Sequence, residues 1–175
     1  MKFPKQMSIG EFAARVASQL EEQGISTVLT GGAVVSIYTE NKYMSYDADF
    51  ITESDNQKIN GVMKDLGFQK KGKDFKHPDT DFFVEFPTGP LAVGDLQIKA
   101  TGELDFKGYR LKLLSPTESV MDRLAEYFHW NDLQNLDQAV WIAEKHPVKI
   151  EKIRKWAESE KAIDKYNNFK AKLKK

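Results

Sequence analysis

Asp47 and Asp49 stand two residues apart in a run, 46–52, whose other members are mostly apolar or β-branched. On a strand, residues two apart point to the same face. The two carboxylates therefore project together, while Ala48 and Phe50 turn inward. Adjacent carboxylates repel unless a cation lies between them, which makes the pair a candidate divalent-metal site. Upstream, an apolar β-branched run ends in Gly31-Gly32. A glycine pair at a strand-to-helix turn offers close backbone approach and free N–H groups, the requirements of a phosphate. A third carboxylate, Glu85, sits inside the apolar stretch Phe83-Val84-Glu85-Phe86. An isolated carboxylate there would be costly to bury. If that strand lies beside the one carrying the aspartates, three acidic groups converge. With phosphate oxygens and waters they form an oxygen shell suited to Mg²⁺ or Mn²⁺. Paired metals can activate a hydroxyl and stabilise a leaving pyrophosphate.

The elements that must position these groups follow from pattern. Ser8-Ile9-Gly10-Glu11 reads as a capping box, with Phe12, Val16 and Leu20 on one face of a helix over 9–23. A strand over 25–30 leads into the Gly-Gly turn and a helix over 32–40, then a loop and the acidic strand. Ser54 or Asp55 caps a helix carrying Ile59, Val62, Met63 and Leu66 and closing at Gly67. A basic strand follows over 68–75 with a turn at Gly72, then the strand holding Glu85, ended by Pro87. The segment 97–114 reads as one or two strands with a turn at Lys107-Gly108. Ser115-Pro116-Thr117-Glu118 is the clearest helix start: N-cap, proline at N1, glutamate at N3. Asn131 is placed as the cap of a second helix reaching about 146, with Asp132 as local capping; two more helices cover 149–159 and 161–173. The expected fold is α+β, a small mixed sheet with flanking helices (1–114) and a C-terminal helical region (115–175) packed on it.

Composition excludes some chemistries. The 175 residues hold no cysteine, so disulfides, thiolate metal sites and cysteine nucleophiles are ruled out. Three scattered histidines make no zinc motif. No apolar run approaches membrane-spanning length, and the first residues lack the apolar core of a signal peptide, which sets a cytoplasmic expectation. A formal net charge of zero conceals a gradient, because residues 149–175 carry ten lysines and arginines against four acidic residues. Such a tail is either a solvated helical face or an electrostatic contact for RNA or another anion.

The order Gly31-Gly32, Ser45-Tyr46-Asp47-Ala48-Asp49-Phe50, Val84-Glu85-Phe86 and Ser115-Pro116-Thr117-Glu118 resembles the nucleotidyltransferase superfamily of the DNA polymerase β type. More narrowly it is similar to small prokaryotic abortive-infection-type nucleotidyltransferase toxins. The resemblance implies that Asp47, Asp49 and Glu85 are the metal-binding and catalytic carboxylates, with Glu85 helping to deprotonate an acceptor hydroxyl. It implies nucleotide-binding roles for Gly31, Gly32, Ser45 and Arg123, the last standing where such proteins face the phosphates with a lysine. The implied reaction moves an NMP from an NTP to a hydroxyl on RNA, protein or a small molecule, with Mg²⁺ or Mn²⁺ as cofactor and an antitoxin as partner. One departure is the segment His129-Trp130-Asn131-Asp132, which lacks the basic residue usual before that aspartate. Lys42, Lys70, Lys71 and Lys73 are the candidate substitutes. The same residues also fit an inactive nucleotide-binding or protein-interaction module, or a metal-dependent phosphohydrolase.

Overall fold

A computed structural model describes residues 2–98 and 102–173. The elements run α1 (Ile9–Glu22), β1 (Val28–Thr30), α2 (Gly31–Tyr38), β2 (Asp47–Ile51), α3 (Asn56–Asp65), β3 (Gln69–Lys71), β4 (Asp74–Lys76), β5 (Phe83–Glu85), β6 (Ala92–Val93), β7 (Leu96–Gln97), β8 (Gly102–Phe106) and β9 (Tyr109–Leu113), then α4 (Pro116–Trp130), α5 (Leu133–Lys145), α6 (Ile150–Ser159) and α7 (Ile163–Leu173). Seven strands form one mixed sheet in the order β3-β4-β5-β2-β1-β9-β8, so the α+β expectation holds. The β6–β7 hairpin was not foreseen; its strands are two residues each, too short to show a period. The segment 97–114, expected as one or two strands, falls partly on 99–101, outside the described residues; its described part holds β8 and β9, which pair antiparallel around the expected turn at Lys107-Gly108.

Two pairings set up the site. β1 and β2 are antiparallel, with Thr30 opposite Asp49, and β2 and β5 are parallel, with Asp49 opposite Glu85. Their inward residues Leu29, Ala48, Phe50 and Val84 are wholly buried. They meet Phe12, Val16 and Leu20 of α1 and Val34 and Val35 of α2 in one core. Burying side chains of that size is worth about 1.5–3 kcal/mol each, and this burial fixes the strand register. A one-residue slip would drive the aspartates into the core.

Helix ends follow the sequence with two differences. Ser8 and Ser115 accept hydrogen bonds from the Glu11 and Glu118 N–H groups, as expected of N-caps. The Glu11 carboxylate, however, pairs with Arg15 and Lys107. Asn131 does not start α5; it ends α4 in the left-handed region at φ 59°, and the N-cap is Asp132, which accepts from the Gln134 and Asn135 N–H groups. Asparagine tolerates that backbone conformation through its short polar side chain, which makes it a helix stop as readily as a start. Among the described residues, no helix is long and apolar enough to cross a membrane.

Half of the eight described lysines and arginines in the basic C-terminal segment are engaged within the chain. Lys152 pairs with buried Glu118, Arg154 with Glu151 and Glu158, and Lys172 with Asp137. Lys165 donates to the Tyr127 and Phe128 carbonyls, at 3.2 and 2.6 Å, near the C-terminus of α4. A cation there complements the negative end of the helix dipole. Lys174 and Lys175 lie outside the described residues.

Candidate active site

Asp47 and Asp49 alternate with the buried Ala48 and Phe50 on β2, so strand pleat alone brings both carboxylates to one face. Parallel pairing adds Glu85 from β5 on the same face. The three groups, all half-buried, offer oxygen atoms within 4.8 Å of one another. Burial pushes the Asp49 carboxyl up to about 7, and the Asp47 and Glu85 charges add to that, with Arg123 and Lys73 acting in the opposite sense. Three half-buried carboxylates this close together suit a hard divalent cation such as Mg²⁺ or Mn²⁺ in size, charge and oxygen chemistry.

The glycine pair lies directly against them. Gly31 opens α2 with φ +69°, a conformation that side chains other than glycine's adopt only under strain. A Cβ at Gly31 would fall 2.5 Å from Asp49 Oδ2, and one at Gly32 would fall 3.0 Å from Ser45 Oγ. The N-cap residue Thr30 makes no side-chain cap; its hydroxyl donates to the Asp49 carbonyl at 3.3 Å. Side-chain capping therefore leaves the leading N–H groups of α2 open to an anion beside the carboxylates.

The other two nucleotide-binding candidates are placed as follows. Ser45 is buried; its hydroxyl donates to the Asp47 carboxylate, and its N–H donates to Ser36 Oγ at 2.8 Å. Ser36 in turn donates to the Gly32 carbonyl, so this chain of hydrogen bonds ties the glycine turn to Asp47. Arg123 of α4 donates to Asp122 Oδ2 at 2.6 Å and to Asn135 Oδ1 at 2.9 Å, and Asn135 donates on to Asp132. Burial opposes its charge, but Asp122 above all, then Glu126 and Asp49, hold the guanidinium above its ordinary range. Asp122 and Asn135 escaped sequence reasoning because they belong to no motif; the signal in each case is a polar residue on the inner side of an amphipathic helix.

Of the four candidate substitute lysines, Lys42 lies over the Trp141 ring at 4.6 Å, Lys70 bonds Asn60 at 3.1 Å, and Lys71 is exposed on β3. Lys73 reaches the carboxylates, with Nζ 2.9 Å from Glu85 Oε2, and that hydrogen bond and charge raise its ammonium above the usual range.

A proton on Asp49 competes with any metal. Below about pH 7 the group is largely protonated, so Mn²⁺ binding at pH 6 is expected to release about one proton from it. The apparent affinity should rise about tenfold per unit up to pH 7 and then level off. Calorimetry in buffers of different ionisation enthalpy measures both, and a pH-independent affinity from 5.5 to 8 would contradict the electrostatics described.

The fold matches the crystal structure of an antigenic nucleotidyltransferase-like protein from Paracoccidioides brasiliensis at TM-score 0.58, with 17% identity over 78% of this chain and 77% of that one. It also matches the solution structure of the antibiotic-resistance factor ANT(2'')-Ia at TM-score 0.55, with 11% identity over 91% of this chain and 96% of that one. No family model matches the sequence, and no curated protein matches it. What these matches share with this chain is the fold, which is nucleotidyltransferase-like in architecture.

Proposed function

We propose that this chain is a nucleotidyltransferase that moves an NMP from an NTP to an acceptor hydroxyl. The observation that carries the reading is the convergence of Asp47, Asp49 and Glu85 against the glycine turn that opens α2. In the proposed reaction the acceptor oxygen attacks the α-phosphorus, the bond from that phosphorus to the α,β-bridging oxygen breaks, and pyrophosphate leaves. Glu85 accepts the hydroxyl proton, and the Gly31-Gly32 backbone holds the triphosphate through N–H groups. Asp47 and Asp49, steadied by Ser45 and the β1 backbone, together with Glu85 would hold Mg²⁺ or Mn²⁺, an ion that when bound supplies charge neutralisation at the phosphates.

A small molecule is the favoured acceptor. The likeness in fold to an antibiotic-resistance factor supports it, and the pairing of Lys152, Arg154, Lys165 and Lys172 within the chain reduces the net charge that the C-terminal helices offer to RNA. A second reading, a nucleotide-binding module without turnover, draws on Arg123, whose guanidinium is already engaged by Asp122 and Asn135.

The test incubates the protein with each of the four NTPs labelled at the α-phosphate, with Mg²⁺ or Mn²⁺, and with polyhydroxylated amines, RNA or the protein itself as acceptor. Transfer of label with pyrophosphate release is expected, along with a thermal shift reflecting about 2.7 kcal/mol at a nucleotide concentration 100 times Kd. Inorganic phosphate as the product would mean a hydrolase. A metal-dependent shift with no pyrophosphate across the panel would favour the binding module.

A further inference from the structure

Lys73 stands on the turn between β3 and β4, at the free edge of the sheet. The antiparallel register of β4 on β5, with Lys76 opposite Phe83 and Phe75 opposite Val84, carries that turn alongside Glu85. The lysine side chain is 79% exposed, whereas the Glu85 side chain it pairs with is only 12% exposed. An ammonium 2.9 Å from Glu85 Oε2 takes up one acceptor site of that carboxylate and repels a divalent cation drawn to the same group. The lysine stem is flexible and solvated, and an ion pair with one exposed partner is weak, so this contact breaks without disturbing the core.

We propose that Lys73 is a built-in competitor of the divalent metal at Glu85, and that the ammonium released on metal binding meets the anionic phosphates of the nucleotide. This rests on the nucleotidyltransferase reading above and adds to it a cation that Arg123, held by Asp122 and Asn135, does not supply. Metal loading and nucleotide capture become linked steps. Displaced from Glu85 by a bound divalent ion, the Lys73 ammonium would become available to the triphosphate.

The experiment measures Mn²⁺ binding by calorimetry or electron spin resonance on wild type, Lys73→Met and Lys73→Arg, and then NTP binding at saturating Mn²⁺. Lys73→Met is expected to bind Mn²⁺ about threefold more tightly, having lost its competitor. It should bind NTP about tenfold more weakly, having lost a charged contact. Lys73→Arg should stay near wild type in both. Because the side chain is exposed on a turn, folding is not at stake. Equal or weaker Mn²⁺ affinity in Lys73→Met would overturn this inference while leaving the proposed function standing, and unchanged NTP affinity would overturn the handover. A wild type that binds Mn²⁺ but no nucleotide would overturn the proposed function itself, and the handover with it.

Discussion

Asp49→Asn is expected to cut nucleotidyl transfer by about 10³-fold or more while raising the melting temperature of the metal-free protein at pH 8. On the proposed function, the first effect follows from removing a carboxylate that would hold the metal, worth several kcal/mol of transition-state stabilisation at about 1.4 kcal/mol per factor of ten. The second follows from the carboxyl's environment. Its proton affinity rises from 3.8 to about 7 on folding, chiefly through burial and then through Asp47 and Glu85. The folded state therefore binds more protons than the unfolded chain between those values, and the group's contribution to stability falls as pH rises from about 4 to 7. Above pH 7 the charged form is a liability that asparagine removes. The full shift sets a ceiling of about 4 kcal/mol; partial solvation reduces the gain to roughly 1–2 kcal/mol, or about 3–6 °C. Thermal scans at pH 5 and pH 8, paired with the transfer assay, measure both effects. An active Asp49→Asn protein would sink the assignment, and a variant less stable at pH 8 would sink the electrostatics. A gain in stability with loss of function marks a residue kept for chemistry rather than for folding.

Gly31→Ala should damage both properties. Its φ of +69° costs a side-chain-bearing residue about 1–2 kcal/mol, and the added carbon would lie 2.5 Å from Asp49 Oδ2. Either the turn or the carboxylate must move. Displacing a reacting group by an ångström costs about 10²-fold in rate, and the backbone strain should lower the melting temperature by about 3–6 °C. Gly61→Ala is the matched control: it lies within α3 with nothing near its Cβ position and should be neutral or stabilising. Gly31→Ala with wild-type activity and stability would show that the turn does not constrain the site. Loss in Gly31→Ala alone, with Gly61→Ala unaffected, would tie the effect to this turn.

The local elements were legible because each is written in short-range chemistry. Ser8 and Ser115 mark helix starts through bonds reaching only three residues. The alternation Asp47-Ala48-Asp49-Phe50 declares a strand with one wet and one dry face, and burial agrees position by position. Asn131 ends a helix where the sequence pattern places a start, because its side chain suits either end of a helix and only the chain direction beyond it decides.

What the residues alone determined is therefore the chemistry on offer: which carboxylates share a face, where the backbone can approach an anion, and where helices begin. What only the tertiary structure decided is who meets whom. Glu85 joins Asp49 because β5 chose β2 as a parallel neighbour, 36 residues on in register. Arg123 turns to Asp122 and Asn135, while Lys73, one lysine among many in the sequence, reaches Glu85 from the edge hairpin. Strand partnership and long side-chain direction depend on packing between distant segments, and no periodicity within one segment encodes them.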